Sequence, residues 1–83
     1  MFKAQYTRKQ AGVIYRNIKE GKLHMSAEGI KWMYYRADDP VYADTAAQER
    51  IDLIPIIVDD IFRGDLEAAQ ATIDEYDAYH AVA

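Results

Sequence analysis

The sequence contains no cysteine. Disulfides, thiolate metal sites and cysteine nucleophiles are therefore excluded. A chain of 83 residues lies near the lower end of what folds unaided, so packing must hold it, within itself or against a partner. Hydroxyl nucleophiles outside tyrosine are limited to Ser26, Thr7, Thr45 and Thr72, and none stands in a nucleophile-elbow context. The glycines at 12, 21, 29 and 64 are too scattered to form a phosphate-cradling loop. Long apolar runs are also missing. The longest, Leu53 to Val58, includes Pro55 and falls far short of the roughly 18 residues a membrane helix needs. Met1-Phe2-Lys3-Ala4-Gln5 shows no apolar h-region, so no signal peptide is read and a cytoplasmic location without membrane attachment is expected.

Apolar residues are plentiful at 51%, which excludes a disordered tail and predicts one domain over residues 1–83. The net charge of −4 is unevenly spread. Up to Arg36, eight Lys or Arg face only Glu20 and Glu28; beyond it, twelve acids face only Arg50 and Arg63. Such asymmetry marks either charged partners or two halves that neutralise each other on folding.

Periodicity predicts an all-α fold, a small antiparallel bundle of about four helices. Thr7 with Gln10 has the form of a capping box, and Ala11, Ile14, Tyr15 and Ile18 follow at helical spacing up to Gly21. Residues 22–37 allow two readings. As a helix, Ser26 caps a stripe of Ala27, Ile30, Met33, Tyr34 and Ala37; as a β-hairpin over 22–36, Leu23, Met25, Ile30, Trp32 and Tyr34 share a face. The cap and the fuller stripe favour the helix. Asp38-Asp39-Pro40 ends that element. A third helix is predicted over about 45–63 from a second Thr45/Gln48 capping pattern, with Ala47, Ile51, Ile54, Val58 and Ile61 as its stripe and a kink at Pro55. Leu53 and Ile56 lie off that stripe, so this helix should be central, covered on two sides by other helices or by a second copy in a homodimer. Asp65 caps the last helix, about 65–80, with Leu66, Ala69, Ile73, Tyr76 and His80 on one face. The connection at Arg63-Gly64-Asp65 is so short that the last two helices must pair antiparallel.

Metal chemistry has one candidate pair, Asp77 and His80 at i, i+3, with Asp59-Asp60 on the preceding helix. A bundle di-metal site needs two such pairs and two more inward carboxylates, so no metal or cofactor is expected. Adjacent carboxylates such as Asp38-Asp39 and Asp59-Asp60 do not face one another on a helix, and no catalytic residue is assigned.

Binding surfaces are better represented. On a helix, Trp32, Tyr35 and Arg36 fall opposite the apolar stripe, and tryptophan beside tyrosine and arginine is the composition of an interaction hot spot. Asp59, Asp60, Asp65, Glu67, Asp74, Glu75 and Asp77 crowd the last two helices. Of these, Asp59, Asp60, Asp74 and Asp77 are the candidate contacts for the basic groove of a nucleic-acid-handling protein. The basic first third, with Tyr6, Tyr15, Trp32 and Tyr35 interleaved, suggests instead direct nucleic-acid binding. Within it, Ile14-Tyr15-Arg16-Asn17-Ile18-Lys19-Glu20-Gly21-Lys22-Leu23 resembles the recognition-helix end of excisionase-type winged helix-turn-helix proteins. The likeness spans about ten residues, and those proteins place another helix and turn before this one, whereas about six residues precede Thr7. The family is not assigned. The expected function is a non-catalytic protein-interaction module, an acidic inhibitor or adaptor; the alternative is a nucleic-acid-binding accessory protein.

Overall fold

The computed structural model describes residues 6–37 and 52–80, the side chains of Arg36 and His80 excepted. These residues form four helices: α1 (Arg8–Lys19), α2 (Ala27–Ala37), α3 (Leu53–Phe62) and α4 (Leu66–His80). Among the described residues there is no strand.

Helix boundaries follow local chemistry. Thr7 is extended at φ −104°, and its hydroxyl accepts from the Gln10 amide at 3.2 Å while the Gln10 side chain accepts from the Thr7 amide at 2.8 Å. That reciprocal box satisfies two otherwise orphaned donors. At the other end, Gly21 adopts φ +81°, its amide donates to Ile18, and the Lys22 amide reaches back to Asn17 at 2.9 Å. Gly64 repeats the device after α3 at φ +77°, with Gly64 donating to Ile61 and Asp65 to Asp60. Both are Schellman ends, which need the left-handed backbone glycine adopts without strain. The Asp65 carboxylate then accepts from the Ala68 amide at 3.1 Å and starts α4.

The helix predicted over 45–63 is described only from Leu53. Pro55 is therefore the third residue of α3, where the amide it lacks would have no intrahelical partner in any case. Thr45, Gln48, Ala47 and Ile51, on which the longer helix rests, lie outside the described residues, as does Asp38-Asp39-Pro40.

The helices pack in a ring. The α3–α4 hairpin is one side, α1 lies against α3, and α2 bridges α1 and α4, so α1 and α4 stand at opposite corners. Ala11 and Ile14 from α1, Met33 and Ala37 from α2, and Ala69, Ile73 and Tyr76 from α4 meet in the core around Leu53, Ile54, Ile57 and Val58 of α3. The helix apolar nearly all round is thus covered on two sides from within the chain, although Ile56 and Phe62 remain exposed on its outer edge. Tyr6 adds a tie before α1: its buried hydroxyl donates to the Met33 carbonyl at 2.7 Å. Among the described residues, no helix is long and apolar enough to cross a membrane.

Candidate binding surface

The helical reading of 27–37 prevails because of what α4 does to the segment before it. Residues 22–26 are neither helix nor strand, with Leu23 and Met25 buried and His24 exposed, which is the alternation that suggested a hairpin. Among the described residues no strand pairs with them. The Gln70 side-chain amide substitutes, accepting from the His24 amide at 2.8 Å and donating to the His24 carbonyl at 2.9 Å. Two turns further along α4, Asp77 accepts from the Ser26 amide and from the Ser26 hydroxyl, both at 2.9 Å. Ser26 Oγ in turn accepts from the Gly29 amide at 2.9 Å, capping α2 as predicted. A chain of charge-assisted bonds therefore fixes where α2 begins.

That placement sets the outer face of α2. Tyr35 is 46% exposed and Trp32 half-buried, their rings edge-to-face with centroids 5.4 Å apart, and the Lys31 ammonium lies 5.6 Å from the Trp32 ring centroid. Ring contacts of this geometry contribute about 0.5–1.5 kcal/mol beyond burial and hold the pair in one arrangement. Arg36, the third member of the expected patch, has a side chain outside the described set.

The acidic candidates do not form one surface. Asp59 is exposed on α3. Asp60 is only 4% exposed and pairs with the exposed Arg63 guanidinium, so it is corrected from a contact residue to a buried carboxylate whose ion pair closes the α3 C-terminus. Burial occurs because Asp60 lies on the same side of α3 as Leu53 and Ile57 at about 100° per residue. Asp74 is exposed but accepts from Gln70 Nε2 at 2.9 Å, and half-buried Asp77 is committed to Ser26. Both carboxylates serve the loop that positions α2. A glutamine and an aspartate seven residues apart on α4 were legible as polar residues outside the stripe, but nothing local to them named Ser26 or His24 as partners. No group of three or more His, Asp or Glu that could hold a metal ion occurs among the described residues.

No protein-family model, curated protein or solved structure matches this chain.

Between α1 and α2 the aromatic packing continues. Tyr15 and Tyr34 meet edge-to-face with centroids 5.9 Å apart, and the Lys19 ammonium lies 5.6 Å from the Tyr15 ring centroid. Gly12 leaves a shallow open depression lined by Tyr15, Arg16, Lys19 and Glu20. Burial holds the Tyr34 hydroxyl above the ordinary tyrosine value, with Tyr15 adding to the effect and Arg8 opposing it. A phenol whose folded-state pKa is raised contributes stability that is present below the ordinary value near 10.0 and lost as pH rises through the folded value. The tyrosinate absorbance lost on Tyr34→Phe should therefore titrate above the range of free tyrosine. A lost component centred at or below that range would contradict the burial argument.

Proposed function

We propose that this chain is a non-catalytic protein-interaction module, an adaptor or inhibitor that docks on another protein through the outer face of α2. The observation that carries this reading is the Trp32–Tyr35 pair, partly solvent-facing and held by Lys31 on a helix whose start is bonded to α4. A surface ordered before binding loses little side-chain freedom on docking, which favours affinity from a small area. Aromatic residues of this kind dominate the binding energy of interfaces. The exposed acids of the α3–α4 hairpin, Asp59, Asp65 and Glu67 among them, supply a second contact suited to a basic, nucleic-acid-handling partner.

The test is retention from a lysate of the native host on immobilised wild-type protein against Trp32→Ala and Tyr35→Ala. A partner retained by the wild type should bind about 30-fold more weakly to the tryptophan variant, the size expected of a hot spot. The melting temperature should stay within a few degrees of wild type. Trp32 emission should be quenchable by acrylamide in the free protein. Tyr35 is the more exposed of the two and carries the test if Trp32→Ala loosens the fold. A partner held equally by both variants would overturn the reading.

A further inference from the structure

A second surface, separate from the Trp32–Tyr35 face, lies on α1. Between its caps this helix has no acidic residue, and Arg8, Lys9, Arg16 and Lys19 are all exposed. With Ala11 and Ile14 buried, these four cations fall within about a third of the helix circumference at roughly 100° per residue. Tyr15 lies on the same arc, just over a third exposed, with Tyr34 behind it and the open depression above Gly12 between it and Arg16. The face is thus a row of cations interrupted by a ring, about 18 Å long at 1.5 Å per residue. Glu20 lines the depression at its rim, and its carboxylate is paired with Lys22 at 3.3 Å.

Among the described residues, the α4 acids Glu67, Asp74, Glu75 and Asp77 stand at the corner opposite α1, whereas α3, with Asp59 and Asp60, packs against α1.

We infer that the outer face of α1 binds single-stranded nucleic acid, its cations following the phosphates and Tyr15 stacking on a base. An unpaired strand is the occupant the face fits because it presents both chemistries at once. Phosphates answer the cations, and an exposed base answers a ring that a duplex, with its bases stacked internally, would leave unused. An acidic protein segment would answer the cations alone. The surface is independent of the docking face on α2, so either can fail without the other.

The test is fluorescence anisotropy of a labelled oligothymidylate with the full chain, titrated across salt concentrations. Phosphate contacts from Lys9, Arg16 and Lys19 predict a slope of log K against log salt of about −2 for a single strand. Arg16→Gln with Lys19→Gln removes two of them and should bring the slope to about −0.7. Tyr15→Ala should weaken binding roughly tenfold while leaving the slope unchanged, because it removes stacking and no charge. These side chains are exposed or at the surface, and unchanged melting confirms that the variants fold. If either variant melts early, the wild-type slope and a Lys9→Gln variant, expected to lower the slope by about 0.7, decide the matter. Absence of binding at low salt would overturn the inference. So would equal or tighter binding of a duplex or of polyglutamate of matched length, or a slope that the charge variants leave unmoved.

Discussion

Replacing Gly29 with alanine is expected to destabilise the fold by roughly 2–4 kcal/mol, although alanine is the better helix former by about 1 kcal/mol. Gly29 is the third residue of α2 and is buried against α4. A Cβ at this position would lie 2.2 Å from Asp77 Oδ1, 3.0 Å from Met25 Cγ and 3.1 Å from Ser26 Oγ. The added methyl therefore drives out the carboxylate that accepts both bonds from Ser26, and crowds the hydroxyl that caps the helix. Loss of a cap costs about 1 kcal/mol and a polar group left buried without its bonds costs about 1–3 more. For a domain whose whole stability is on the order of 5–10 kcal/mol, that is a large fraction. The mechanism is checked by a double-mutant cycle under urea. Asp77→Ala alone should cost about 1–2 kcal/mol, and combined with Gly29→Ala the total should be clearly less than the sum, because the clash goes with the carboxylate. Additive costs would show that the methyl is harmed by something other than Asp77. A stabilised Gly29→Ala would mean that helix propensity wins and that the close approach is absent in solution.

Ile73→Ala should cost about 3–4 kcal/mol, against roughly 1 kcal/mol for Ile61→Ala. The two residues look equivalent in the sequence, each an isoleucine on the apolar stripe of one arm of the final hairpin. In the structure Ile73 is wholly buried, whereas Ile61 is only partly covered and packs at the edge of the core. Truncation at the centre leaves a cavity that close-packed neighbours cannot fill; truncation at the margin lets solvent or a neighbouring side chain move in. Equal losses at both positions would indicate that the end of α3 is more enclosed than the structure shows.

These two predictions mark where the sequence could be read and where it could not. The four-helix plan, the capping box at Thr7, the cap at Ser26, the left-handed glycines at 21 and 64 and the antiparallel final hairpin all depend on interactions within a few residues. Such interactions leave a pattern in neighbouring letters, and the structure contains each of them. The competing hairpin over 22–36 had a real local basis in the alternation of Leu23, His24 and Met25. What decided against it was Gln70, 46 residues away, whose amide occupies the backbone bonds a second strand would have taken.

The same division separates the candidate surfaces. That Trp32 and Tyr35 face away from the core followed from about 100° per residue once the segment was helical. That Asp60 is buried while its neighbour Asp59 faces solvent depended on which side of α3 the other helices cover, and a run of acidic letters does not carry that information. Charge shows the contrast most clearly. The sequence alone determined that the cations lie early and the acids late, which pointed either to charged partners or to two halves that neutralise each other. Only the tertiary structure showed which helices meet, with α1 packed against α3 and standing at the corner opposite α4. Local bonds and periodicity set the helices, but which corner each helix occupies depends on how all four apolar faces are covered together.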